Sequence, residues 1–116
     1  MAKYINITSD QTYPNGHTLI EKKTSDFGVG SASNMDINGI IRKIIIANHH
    51  ATDKNTIQLF LDDGAGSPTR YTIVRTIIPA QATLILTDGI AFDMSKYSLK
   101  ISTTDTSATA LTVIIK

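Results

Sequence analysis

A chain of 116 residues is long enough to bury one hydrophobic core and too short for two. With 41% hydrophobic and 18% charged residues it has the balance of a folded domain rather than a disordered one. A net charge of +1, with no Lys/Arg run longer than Lys22-Lys23 or Arg42-Lys43, argues against nucleic acid as the main partner, and the lack of cysteine excludes disulfides and thiolate metal sites.

The kind of apolar residue matters more than the amount. Ile and Thr recur throughout, Leu is infrequent, and Glu21 is the only Glu. Branching at Cβ restricts χ1 and suits a pleated strand better than a helix. The N-terminal residues Met1-Ala2-Lys3-Tyr4-Ile5-Asn6 lack the apolar core of a signal peptide. The unbroken apolar runs are far shorter than a membrane span.

In the first third, residues 3–8 and 18–21 read as short strands. Residues 9–17 and 23–38 are rich in Ser, Asn, Asp and Gly. A structureless stretch as long as the second is uncommon in a small domain. It is either a surface loop or an extended arm that orders against a neighbour. The chain therefore divides into residues 1–39, an N-terminal arm or long loops with short strands, and residues 40–116, a β-sandwich core, the whole being one domain. On this division, deleting residues 2–38 is expected to leave a folded β domain that assembles less well. An aromatic side chain in a polar arm is an anchor for a neighbour's pocket, so Tyr4, Tyr13 and Phe27 are the candidate partner-binding residues.

From residue 40 onward the hydrophobic period is two. The run Ile44-Ile45-Ile46-Ala47 is continuously apolar, as in a central strand covered on both faces. Ile57, Leu59 and Leu61 share a face, with Thr56 and Gln58 on the other. Weaker alternation follows in residues 71–75 and 83–87. Tyr97, Leu99 and Ile101 alternate with Ser98, Lys100 and Ser102, and Leu111, Val113 and Ile115 share one side. Asn38-Gly39, Asp63-Gly64 and Asp88-Gly89 suit tight turns, and Pro79 ends the strand before it. About six strands at roughly ten-residue spacing predict an all-β, antiparallel sandwich of jelly-roll or Ig-like type, preceded by an extended N-terminal segment.

The residues that could carry chemistry each fail a geometric requirement. Adjacent side chains of a strand point to opposite faces, so His49-His50 cannot chelate one metal. They are expected in a solvated turn. Asp62-Asp63-Gly64 lacks the alternating oxygen ligands and closing Glu of a calcium loop, and acidic residues beside Gly are ordinary turn chemistry. No Ser lies in a Gly-x-Ser-x-Gly elbow. Neither Gly28-Val29-Gly30 nor Gly64-Ala65-Gly66 has the third Gly of a dinucleotide fingerprint. No catalytic activity, cofactor or metal is therefore expected. Binding of a glycan on exposed aromatics is the small-ligand alternative, with Tyr13 and Phe27 as the freer rings.

The order of features from Ile44 to Ile114, with its polar turn after His49, strand to Asp62-Asp63-Gly64, strand ending at Ile78-Pro79 and three further apolar runs, resembles the small β-sandwich structural proteins of tailed bacteriophages. These include proteins that decorate or cement capsids and others in the tail. The resemblance rests on strand rhythm and covers residues 40–116. It implies a homo-oligomeric virion subunit, assembled in the host cytoplasm, that binds capsid or other virion proteins and neither nucleic acid nor membrane. A decoration or cement protein of the head is the leading expectation. A tail, adaptor or fibre-associated subunit is the neighbouring one.

Overall fold

The β-branched runs fold as strands throughout the computed structural model, which describes residues 3–22, 40–65, 69–87, 89–104 and 110–116. In chain order these are β1 (Lys3–Ile7), β2 (His17–Ile20), β3 (Ile40–Ile41), β4 (Ile44–Asn48), β5 (Asn55–Asp62), β6 (Arg70–Ile78), β7 (Thr83–Leu86), β8 (Ile90–Ala91), β9 (Ser98–Thr104) and β10 (Leu111–Ile115). No helix occurs among the described residues, and none there is long and apolar enough to cross a membrane. The all-β expectation holds.

Two antiparallel four-stranded sheets pack together, one in the order β1-β10-β4-β7 and the other β2-β9-β5-β6, with β3 and β8 forming a small pair of their own. The inward side chains of the first sheet include Ile44, Ile46, Leu111, Val113 and Ile115, and those of the second include Ile57, Leu59, Leu99 and Ile101, all buried. Their two-residue spacing puts them on one face of each pleat, which is why the alternation read in the sequence becomes the core.

The sandwich begins before residue 40. β1 pairs with β10 from Lys3 opposite Ile115 to Ile7 opposite Leu111, and β2 pairs with β9. Ile7, Leu19 and Ile20 are buried in the common core. The register shifts between Thr18 and Ile20, and Leu19 and Ile20 are both fully buried there. Lys3 joins the two sheets along this side, its ammonium donating to the Leu19 carbonyl, and burial pulls its pKa below the ordinary lysine value against the opposing pull of Glu21. Residues 2–38 thus carry structural strands, and a core confined to residues 40–116 would lack one edge of each sheet. Residues 23–39, where the arm or long loop is expected, lie outside the described residues, as does Asn38-Gly39.

On the opposite side the edges are β6 and β7. In β6, Val74 pairs with Leu59 and Thr72 with Phe60, leaving Ile73 as an inserted residue. Such a bulge twists an exposed edge and discourages indiscriminate pairing.

The second sheet departs from simple alternation at Phe60. Its neighbours Leu59 and Leu61 point inward, so Phe60 points outward, yet it is fully buried. The segment between β1 and β2 returns over it. Tyr13 packs edge-on against its ring at 5.1 Å, and Gly16, at φ +116°, brings backbone so close that a Cβ there would lie 2.9 Å from the Ile101 carbonyl oxygen and 3.3 Å from the Phe60 ring. Gln11 pins the segment to β9: its N–H donates to Thr103 Oγ1 at 3.1 Å and its carbonyl accepts from the Thr103 N–H at 2.8 Å. Ser102, on the outward face of β9, is buried as well.

Candidate binding surface

The outward face of the first sheet follows from three registers. Tyr4 lies opposite Ile114, Ile114 opposite Ile45, and Ile45 opposite Ile85. These four side chains form one apolar row crossing all four strands. Its ends stand open, with Tyr4 71% and Ile85 50% exposed, while Ile114 and Ile45 between them are half-buried. Two residues along each strand the next row is Asn6, Thr112, Ala47 and Thr83, with Thr112 Oγ1 donating to Asn6 Oδ1 at 3.0 Å. In the other direction Lys43 and Lys116 face each other, joined by reciprocal backbone hydrogen bonds of 3.2 and 2.9 Å. No acidic side chain lies in these rows. Beyond Ile85 the apolar surface continues round the sheet edge into an open groove of about 370 Å³ between β7 and β6, lined by Ile73, Val74, Leu86 and Ile90.

This face corrects the expectation for residues 44–47. β4 is central, as expected, and Ile44 and Ile46 are fully buried, but Ile45 and Ala47 project onto the outward face rather than into a second covered layer. An apolar row across a sheet, open at both ends, is the kind of surface that marks a contact site rather than a stray exposed residue.

Of the candidate aromatics, Tyr4 belongs to this row. Tyr13 lies on the other sheet, 43% exposed, with Phe60 at its edge and the Arg70 guanidinium 5.9 Å from its ring centre. Arg70 is fixed in turn by Asp62, Nε to Oδ2 at 2.9 Å. Phe27 lies outside the described residues. The structure therefore puts Tyr4 and Tyr13 on opposite faces. The sequence reading missed Ile45, Ile85 and Ile114 as surface residues; the available signal was their parity, since each is out of phase with the inward residues of its own strand.

The polar candidates build turns. His50 Nδ1 accepts from the N–H groups of Thr52 at 3.1 Å and Asp53 at 2.9 Å, and its other nitrogen faces Asp53 Oδ2 at 3.8 Å. The buried Asn48 holds this turn onto the sandwich, donating to the carbonyls of Asp53 and Ile78 at 3.0 Å each and accepting from the His50 N–H at 3.1 Å. Asp62 Oδ1 accepts from the Gly64 N–H at 2.6 Å. Asp63 Oδ1 accepts from Ala65 at 3.0 Å and Thr69 at 3.1 Å, and these backbone donors hold its carboxyl below the usual carboxylate range. Among the described residues no three His, Cys, Asp or Glu side chains converge as a metal-ion group would require.

Comparisons with protein-family models, with curated proteins and with solved structures find no match to this chain.

Proposed function

We propose that this protein is a structural subunit that acts by binding protein surfaces, with the outward face of the β1-β10-β4-β7 sheet as its contact. The observation that carries the reading is the Tyr4–Ile114–Ile45–Ile85 row. Burying such residues against a partner gains about 25 cal/mol for each Å² of apolar surface removed from water, and the fold itself leaves this gain unused.

The strand order supports the jelly-roll form of the sandwich over the Ig-like one. The small β3–β8 pair apart, each connection between consecutive strands of the remaining eight crosses from one sheet to the other, except that β5 and β6 pair within the second sheet. Such an order favours the double Greek key of a jelly roll, an architecture used by viral capsid proteins and lectins, over an Ig sandwich of constant type, which has seven strands in a four-plus-three division. With the strand rhythm that resembles small virion proteins of tailed bacteriophages, this makes a capsid decoration protein the specific reading. In it, the subunit bridges capsid proteins and stabilises the head. The expected result is that purified protein binds undecorated heads and raises their resistance to heat and osmotic shock, and that Tyr4→Ser with Ile85→Ser removes both effects without lowering the thermal midpoint of the free protein. Heads that neither bind it nor gain resistance would refute the decoration role, and particle location by cryo-imaging would then separate a tail, adaptor or fibre-associated subunit.

A glycan-binding module is the second reading, favoured by Tyr71. Its ring is 53% exposed and held edge-on by Tyr97 at 5.8 Å, the geometry of an aromatic platform. Glycan-array binding lost on Tyr71→Ala would support it.

A further inference from the structure

We infer that the occupant of the outward face of the β1-β10-β4-β7 sheet is a second copy of this chain, packed face to face about a twofold axis that runs along the Tyr4–Ile114–Ile45–Ile85 row. The inference rests on the reading of this face as a protein contact and names its partner.

The charge pattern selects both the partner and the axis. Facing sheets pack with strands nearly aligned, about 10 Å apart. Two twofold axes in the interface plane satisfy this. An axis parallel to the strands would bring Lys43 of one copy over Lys116 of the other, and like charges facing across a contact oppose it. An axis along the row avoids the clash. It carries Lys116 over the second copy's Thr112 and Lys43 over its Ala47, with Asn6 and Thr83 beside them as oxygen acceptors. The apolar row then meets itself, Tyr4 against Tyr4 and Ile85 against Ile85. Because the rows on either side of the apolar one are respectively cationic and neutral, the face is complementary to its own twofold image, as an isologous contact requires. Among the described residues the outward face of the other sheet has no such row: Lys100, Arg75 and Gln58 project there beside the exposed Ile77, and the loop through Tyr13 covers Phe60.

Size sets the strength. Four strands about 4.8 Å apart and five residues long at about 3.4 Å each give a flat patch of roughly 300 Å², well under the ~800 Å² per partner of a standard stable interface. The pair is consequently weak and forms at high concentration or when a particle surface holds two copies together.

The chain contains no cysteine, so single-cysteine variants report contacts without background. In the full-length protein, Tyr4→Cys and Ile85→Cys are each expected to cross-link to themselves with a bis-maleimide reagent of about 10 Å span, the spacing of facing sheets. A mixture of the two variants should give no mixed product, and Thr72→Cys on the opposite sheet should give none. Sedimentation at rising concentration should show a monomer–dimer equilibrium, weakened about tenfold or more by Ile85→Ser, as for loss of a buried apolar contact of ~1.4 kcal/mol. Circular dichroism confirms that each variant folds. Mixed Tyr4–Ile85 cross-links would overturn the axis. Monomer at every concentration with no self-cross-links would overturn the second copy. If such monomers still bind heads and lose that binding on Ile85→Ser, the occupant is a capsid protein, and the reading of this face as a contact survives the failure of the dimer.

Discussion

Deleting residues 2–38 is expected to abolish the cooperative thermal transition and most of the β signal in circular dichroism. Read from sequence, the same deletion should spare the fold, because the first third looks like an appendage. The structure reverses this through Ile7, Leu19 and Ile20, all buried in the common core. Full burial of such side chains is worth about 1.5–3 kcal/mol each, so their removal costs roughly 5–9 kcal/mol against a total stability of about 5–15 kcal/mol for a domain. The loss of β1 and β2 also strips β10 and β9 of a hydrogen-bonding neighbour and uncovers Phe60. A truncated protein that still melts cooperatively would show that residues 40–116 are self-sufficient.

Phe60→Ala is expected to be the most damaging single substitution outside the main core. Replacing a buried Phe by Ala costs about 3–5 kcal/mol, which corresponds to a fall in melting temperature of roughly 10–20 °C for a domain of this size. The side chain lies on the outward face of its sheet, where alternation alone would make it a tolerant surface position. Ile77, on the same face and 52% exposed, provides the comparison, and Ile77→Ala is expected to cost under about 1 kcal/mol. Equal melting temperatures for the two variants would mean that the Tyr13 loop does not seal Phe60.

The contrast between these two positions shows what the sequence makes legible. Residues 57, 59 and 61, or 99 and 101, announce their strand and inward face because period two is a local property. The turn at Asp63-Gly64 is equally local, and Gly64 does adopt a positive φ of 74°. The cover over Phe60 comes from residues more than forty positions earlier, and nothing near residue 60 encodes its arrival. The outward row is intermediate. Each of Tyr4, Ile45, Ile85 and Ile114 is out of phase with its own strand, which is a local signal of an apolar residue facing out. That the four line up depends on three pairing registers between strands far apart in the chain, and those come only with the fold. Parity marks each of the four as facing out, but their alignment in one row is not encoded near any of them.

Use of the outward face of the β1-β10-β4-β7 sheet as the contact surface can be read by labelling. Ile85→Cys and Arg75→Cys variants, on opposite faces, are treated with a small maleimide before and after incorporation into assembled particles. Both are expected to react readily in the free protein, and assembly is expected to protect position 85 while leaving position 75 reactive. Position 85 remaining as reactive in the particle as in the free subunit would contradict it.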